Sequence, residues 1–271
     1  GAFLAALYAA CEAHGLPART AISEYAPGQF EITLEHRADA LQAMDEAVRY
    51  KRLVKDLARH HGLRACFMAK PFAQQAGSGL HLHASLADAG GGNLFAADDP
   101  QGSPLLRQAI AGLLATAPDF LLVFCPHANS YRRFRAESYA PLKLTWGVNN
   151  RTVAVRVPAG PASSRHLEHR LCGADANPYL AAAALLSGMH HGIRARLAPP
   201  PAVHGNGYAA AAPALRADWA HAIDAFAASA HVAASFGELA QRTLAAVKRH
   251  ELAQWQGEVG AQDWRWYLAR A

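Results

Sequence analysis

The chain has 271 residues, of which 52% are hydrophobic and 17% carry a formal charge. A chain this long and apolar can bury a large core, which excludes disorder over its whole length. Lysine and arginine number 26 against 21 acidic residues, and this mild excess forms no runs, so the charge gives no reason to expect a nucleic-acid partner. We also find no apolar stretch of the ~18 residues that a membrane span needs, and we expect no membrane partner.

The four cysteines are widely separated and form no Cys-x-x-Cys pair: Cys11, Cys66, Cys125 and Cys172. This spacing is unlike that of a disulfide framework or a structural zinc site, and it favours a cytoplasmic protein. The chain begins at Gly1 directly in a helical pattern, which we interpret as a piece of a longer protein.

The hydrophobic pattern predicts strands mainly in the first two thirds of the chain and helices at its end. A helix over 3–14 precedes two extended segments within 20–35 that turn at Pro27-Gly28, and an amphipathic helix covers 38–61. The other predicted elements are strands at 64–69, 80–87, 142–147, 152–157 and 166–171, and helices at 104–116, 178–195, 214–230 and 234–255. Because strands and helices do not alternate regularly, we expect an α+β fold with an antiparallel or mixed sheet.

The strongest local signal is GSGLHLHASL, at residues 77–86. Strand parity places His81, His83 and Ser85 on one face and the apolar side chains on the other. The polar face is either a solvated sheet surface or a ligand-binding wall, in which imidazoles bind a metal and the hydroxyl bonds to an anion. Gly77 allows the backbone to approach a ligand closely.

Two other segments carry carboxylates. Glu24 and Glu31 flank the predicted turn, and strands folding back there would bring them together around a cation; two surface glutamates are the alternative. Further along the chain, strand parity places His166, Glu168 and Arg170 on one face. This pattern fits a cross-strand ion-pair ladder, or a metal ligand beside an anion clamp.

Four arginines lie near predicted strand ends: Arg132, Arg133, Arg151 and Arg156. Guanidinium groups suit bidentate binding of phosphate and carboxylate, although each of these arginines alone would be ordinary surface charge. Together with the carboxylates and histidines they indicate a phosphoryl-transfer site. The chain has no GxxxxGK[ST] motif, which excludes a P-loop enzyme.

These segments, in this order and spacing, resemble the catalytic domain of the glutamine synthetase family over nearly the whole chain. SEYAPGQFE at 23–31 is similar to the family's E-x-x-P-G-Q-x-E segment, and residues 77–86 are similar to its GSG-x-H-x-H-x-S strand. The family's later motifs follow in order, as NSYRRF at 129–134, NNR at 149–151 and EHR at 168–170.

The resemblance implies one α+β catalytic domain over 1–271, with a mostly antiparallel sheet as the active-site wall, packed helices and a helical C-terminal part. The family's N-terminal domain and first catalytic strand are not in this chain, so its two cation sites would be incomplete here. The implied residue roles are ligands of Mg²⁺ or Mn²⁺ at Glu24, Glu31, His81 and Glu168; nucleotide binding at His83, Ser85, Arg151 and Arg156; glutamate binding at Arg133, Arg170 and Gly77; and catalysis at Arg133, Arg151, Tyr139 and Glu137.

The resemblance also implies an activity. ATP phosphorylates the γ-carboxylate of glutamate, and an amine then displaces phosphate from γ-glutamyl phosphate, in a homo-oligomer when the protein is full length. Family members that use ammonia carry a glutamate where this chain has Tyr139, and often an asparagine where it has Ala76. Both departures favour the γ-glutamylpolyamine synthetase branch.

Other functions stay open at this point. Glu137 is the acidic residue nearest in sequence to Tyr139, where this chain departs from the family members that use ammonia. An ammonia-using glutamine synthetase therefore stays as the alternative. A catalytically inactive family member and a metal-storage or nucleic-acid-binding module are further alternatives.

The family arrangement leads to two expectations about the geometry of the site. The side chains of Glu24, Glu31, His81 and Glu168 should converge in one cavity. Arg133 or Arg170 should lie beside Glu168 and lower its pKa.

Overall fold

Two small sheets organise the first two thirds of the chain. In the computed structural model, which describes residues 1–270, β1 (Ala18–Ser23) and β2 (Phe30–Leu34) form an antiparallel hairpin. The second sheet contains β3 (Leu82–Ala84), β4 (Trp146–Val148), β5 (Val155–Val157) and β6 (Leu167–His169). Its strand order is β3-β6-β5-β4, and β4 and β5 are its parallel pair. The predicted α+β class is confirmed, with a mostly antiparallel sheet.

Helices surround the sheets and form the last third of the chain. They are α1 (Ala2–Ala13), α2 (Ala40–His60), α3 (Pro104–Phe124), α4 (Pro178–Arg194), α5 (Trp219–Ala228), α6 (Ala230–Phe236), α7 (Glu238–Gly257) and α8 (Ala261–Tyr267). Local chemistry sets several of their starts. The Asp39 carboxylate accepts from the amides of Leu41 and Gln42 at the start of α2. Asn177 caps α4 in the same way, and Pro178 is its first residue.

The strand predicted at 64–69 joins no sheet within the part of the chain that the structure describes. Its neighbouring backbone groups are satisfied elsewhere: the Lys70 amide and carbonyl bond to the Asn129 side chain, and the Ala69 carbonyl accepts from the Ser78 amide. A segment whose polar groups have such partners does not need a ladder. The strands predicted at 80–87, 142–147, 152–157 and 166–171 are present but shorter, with three residues each.

The C-terminal helices break where the sequence pattern alone suggested continuity. The helix predicted at 214–230 begins only at Trp219. Ser229 then starts α6, because its hydroxyl accepts from the Val232 amide. Gly237 separates α6 from α7 with a φ of 81°, which glycine adopts without strain.

The central helix α3 is longer than the predicted 104–116. It continues through Pro118 to Phe124, since packing on both sides compensates for the hydrogen bond that a proline removes. By length and composition α3 is apolar enough to cross a membrane, contrary to the expectation from sequence, but 72% of its apolar window is buried inside the structure. Burial against α4 and α5 accounts for its apolar character.

The backbones of α3 and α4 touch where they cross. A Cβ atom on Gly112 would collide with the Gly188 carbonyl and lie 2.5 Å from the Gly192 amide nitrogen. A Cβ on Gly192 would lie 2.6 Å from the Gly112 nitrogen. No side chain fits between the two helices here, so this crossing requires glycine.

One histidine is part of the core beneath the sheet. His169 is 1% exposed and packs against Phe124 with ring centroids 4.3 Å apart. Neither of its ring nitrogens has a hydrogen-bond partner among residues 1–270. Burial lowers the pKa of His169 to about 3, so the folded protein holds it neutral.

The helix crossing predicts a stability effect. Gly112→Val should lower the free energy of unfolding by about 1–3 kcal/mol, because overpacking forces the two helices apart. Gly257→Ala is the control, since the space around Gly257 is open. Urea denaturation of both variants measures the difference. An unchanged midpoint for Gly112→Val would contradict the backbone contact.

The buried histidine predicts a pH effect. Between the unfolded pKa of about 6.5 and the folded pKa of about 3, the unfolded state binds the extra proton, so stability falls as the pH falls. Between pH 7.5 and pH 5.5 the wild type should lose about 1.4 kcal/mol more unfolding free energy than His169→Phe. Urea unfolding at both pH values tests this; equal losses would show that His169 is not held neutral.

Candidate active site

A buried carboxylate lies at the centre of the candidate site. Glu168, 2% exposed, is in the middle of β6, between β3 and β5. Arg156 on β5 is its cross-strand neighbour and donates through Nη1 to Oε2 at 2.7 Å. Arg170 donates to Oε1, and His81 Nδ1 lies 3.2 Å from the same oxygen. The pairing of β3 with β6, in which His83 is opposite Glu168, therefore brings together groups that are 87 positions apart in sequence (168 − 81).

The surrounding groups keep Glu168 ionised. Burial by itself raises the pKa of a carboxyl group, but the His81 hydrogen bond and the charge of Arg170 outweigh it and hold the pKa of Glu168 well below its usual range. Burial also lowers the pKa of His81, so a neutral imidazole donates its Nδ1 proton to the carboxylate. The predicted lowering of the Glu168 pKa is confirmed, and the neighbouring positive charge comes from Arg170 rather than Arg133.

The site keeps positive charge and unused hydrogen-bond donors. Arg156 also donates through Nη2 to the Asn149 side chain at 2.7 Å. The Nε groups of Arg156 and Arg170 are buried without a partner among the described residues. An orphaned buried donor is costly until a ligand satisfies it, so these groups suit a phosphate or carboxylate. Arg151 lies exposed in the turn that follows β4.

Arg133 is bonded to backbone carbonyl groups. It is 5% exposed, and its Nη groups donate to the carbonyl oxygens of Arg170, Leu171 and Cys172. Its stem packs on Gly77, where a Cβ would lie 2.5 Å from Arg133 Cγ. Here Arg133 therefore positions the chain that carries Arg170, and Gly77 is required by this packing. The glutamate-binding roles of both residues stay predictions.

The predicted polar face of β3 is confirmed. Leu82 is buried, whereas His83 and Ser85 are exposed. His83 Nδ1 lies 3.1 Å from His166 Nε2. Sequence parity placed His166 on the face of Glu168 without a role, and the contact shows that it widens the imidazole surface beside the cluster.

The β1–β2 hairpin reaches this region through its turn. Gln29 Nε2 donates to the Gly77 carbonyl at 3.0 Å and to Ser78 Oγ at 3.1 Å. Gln29 was part of the sequence motif, but its polarity alone did not reveal this anchoring role. Glu24 is exposed and Glu31 is half-buried in β2.

The four predicted metal ligands do not assemble here. Residues 1–270 contain no group of three or more His, Cys, Asp or Glu side chains that could hold a metal ion. His81 and Glu168 meet, but the carboxylate already accepts from two arginines, and Glu24 and Glu31 do not join them. The expected convergence is not found among residues 1–270. These side chains alone do not fit a divalent cation.

The loop after Arg133 forms one edge of the cluster. Arg170 Nη2 donates to the Tyr139 carbonyl at 3.4 Å. Ser138 fastens the loop through hydrogen bonds to backbone groups on both sides of it. Glu137, also in this loop, is exposed.

Known proteins have sequences similar to that of this chain. The family model described as the catalytic domain of glutamine synthetase matches residues 1–267. Gamma-glutamylputrescine synthetase PuuA of Escherichia coli is 38% identical over 256 residues, covering 94% of this chain and 54% of that protein. Glutamate–isopropylamine ligase of a Pseudomonas species is 41% identical over 189 residues, covering 69% and 41%. A glutamine synthetase of Thermus thermophilus is 37% identical over 200 residues, covering 72% and 44%.

The fold agrees with that of a solved relative. The structure of GmaS in complex with ADP superimposes with a TM-score of 0.90 at 33% identity, covering 98% of this chain and 63% of that one. The chain spans about half the length of the curated relatives it matches. The chain belongs to the glutamine synthetase family, and the part of that family it matches is the catalytic domain.

Proposed function

We propose that the full-length protein is an ATP-dependent ligase that joins the γ-carboxylate of glutamate to a primary amine or polyamine. The observation that carries the proposal is the Glu168 cluster, in which two arginines with unused donors are fixed around one carboxylate. Relatives named for putrescine and isopropylamine support an amine as the acceptor.

The reaction has two steps. The γ-carboxylate of glutamate attacks the terminal phosphorus of ATP, which gives γ-glutamyl phosphate and ADP. The amine nitrogen then attacks the acyl carbon, the bond from that carbon to the phosphate oxygen breaks, and the nitrogen loses a proton. Arg156 and Arg170 offset the negative charge on the transferred group, and Glu168 keeps both guanidinium groups oriented.

The remaining parts of the proposal concern the nucleotide and the setting. ATP is a co-substrate, with His83, Ser85, Arg151 and Arg156 as its proposed contacts. Mg²⁺ or Mn²⁺ would accompany it and would need ligands beyond the residue pair that this chain brings together. We also propose that the full-length protein is a cytoplasmic homo-oligomer; the four cysteines of this chain are free thiols.

An assay with a panel of acceptors tests the activity. The full-length protein should release phosphate only when glutamate, ATP and an amine are all present, and faster with putrescine, isopropylamine or ethanolamine than with ammonium. A coupled phosphate assay measures this. Faster release with ammonium would favour a plain glutamine synthetase, and no release with any acceptor would favour an inactive family member.

The charge of Glu168 should be essential. Glu168→Gln removes the anion that holds Arg156 and the buried Arg170, and we expect kcat to fall on the order of 100-fold or more. Arg156→Lys keeps the positive charge but lacks the planar guanidinium group. Its kcat should fall roughly tenfold while the protein folds normally. Glu238→Gln, at the exposed start of α7, is the control. Full activity in a folded Glu168→Gln protein would place the chemistry elsewhere.

The acceptor preference should depend on Tyr139. A phenol is uncharged at neutral pH and cannot capture ammonium as a carboxylate does, whereas its ring attracts an alkylammonium by about 0.5–2 kcal/mol. Tyr139→Glu should therefore shift kcat/KM towards ammonium by about tenfold. Glu137→Gln should leave the preference unchanged. If that change instead abolishes turnover in an enzyme that prefers ammonium, Glu137 is the acceptor carboxylate and our substrate assignment is wrong.

A further inference from the structure

Two tyrosine rings meet between the hairpin and the loop at the edge of the cluster. Tyr25, in the β1–β2 turn, lies against Tyr139 with ring centroids 5.8 Å apart and planes at 47°. The two residues are 79% and 45% exposed, so the rings present open faces to solvent instead of packing into the core. Contact with the Tyr139 side chain raises the pKa of Tyr25, which keeps that phenol uncharged.

Tyr139 is held in a backbone conformation that bulky residues rarely adopt. Its φ is 57°, in the left-handed region. Hydrogen bonds maintain it: Ser138 ties the loop to itself, Arg170 donates to the Tyr139 carbonyl, and the Tyr208 hydroxyl donates to the next carbonyl at 3.2 Å. Such strain concentrates at ligand sites, where the surrounding structure over-determines one side-chain position.

The hairpin holds Tyr25 on its side of the pair. The Glu24 amide donates to the Gln29 carbonyl at 2.9 Å, and the Gln29 amide donates to the Ala26 carbonyl at 3.0 Å. The Gln29 side chain fixes the turn to Gly77, in the segment that leads to β3. Hydrogen bonds thus connect the segments that carry both rings to the segments that build the Glu168 cluster.

We infer that Tyr25 and Tyr139 together form a binding subsite for the alkyl part of a primary alkylammonium acceptor. The inference rests on the proposed function and adds Tyr25 as a determinant of specificity. Aromatic faces attract a cation and cover its methylene groups, and ammonium has no carbon for the rings to cover. Glu24 and Glu137, close in sequence to the two rings, are exposed acids.

A purely structural stack is the competing explanation, in which the rings only pin the hairpin to the loop. The two explanations differ in what they do to specificity. Loss of a pin changes turnover with every acceptor alike, whereas loss of an alkyl subsite changes turnover with alkylamines more than with ammonium. The ratio of the two kcat/KM values does not depend on how much enzyme is folded.

The experiment measures that ratio in the full-length protein. Tyr25→Ala should lower the ratio of kcat/KM for isopropylamine to kcat/KM for ammonium about 3- to 30-fold, mainly through the KM of the amine. Tyr25→Phe keeps the ring and should stay within about twofold of the wild type. Tyr267→Ala, which removes another exposed tyrosine on α8, is the matched control and should leave the ratio unchanged.

An unchanged ratio in Tyr25→Ala would overturn the inference, whether turnover stays the same or falls equally with both acceptors. Isothermal titration of isopropylammonium onto the wild type and Tyr25→Ala tests the subsite without turnover. Weaker binding by the variant supports the subsite, and equal binding contradicts it. A wild type that binds the amine through Tyr25 but releases no phosphate would contradict the proposed function and leave the subsite standing.

Discussion

The ion pairs of one buried carboxylate determine the geometry of this site. Glu168 is on a central strand and cannot turn towards water, and neither Arg156 nor Arg170 can leave without stranding a charge in the interior. Buried ion pairs add little net stability compared with a well-packed apolar core, so orientation is the better explanation for this one. It fixes two guanidinium groups while leaving each with a donor for an incoming anion.

Features that depend on strand alternation were predictable from sequence. The period of two placed Glu168 and Arg170 on one face and His169 on the other, and His169 is indeed in the core. The same period separated Leu82 from His83. The hairpin around the Pro-Gly turn followed from turn chemistry, and the α+β class followed from the irregular order of strands and helices.

Features that depend on how loops meet could not be predicted from local pattern. The residue type of Arg133 suggests anion binding, yet its Nη groups donate to carbonyl groups 37 to 39 positions away in sequence. The pair of Glu24 and Glu31 followed from the hairpin, but where the hairpin docks depends on Gln29, 48 positions from Gly77. The contact of Tyr25 with Tyr139 spans a still longer separation, for which no periodicity carries a signal.

The glycine crossing of α3 and α4 has a consequence for how such a domain can diversify. With backbone directly against backbone, the spacing of these two helices cannot be adjusted by exchanging one side chain for another. α4 follows closely after the segment that carries Glu168 and Arg170. The fixed spacing of α3 and α4 therefore also constrains the position of the charged centre. Under the proposed function, variation in the acceptor would therefore fall to the hairpin turn and the loop after Arg133, which carry Tyr25 and Tyr139 and lie outside this helix crossing. Under that function, one scaffold could serve acceptors of different size while its charged centre keeps the same dimensions.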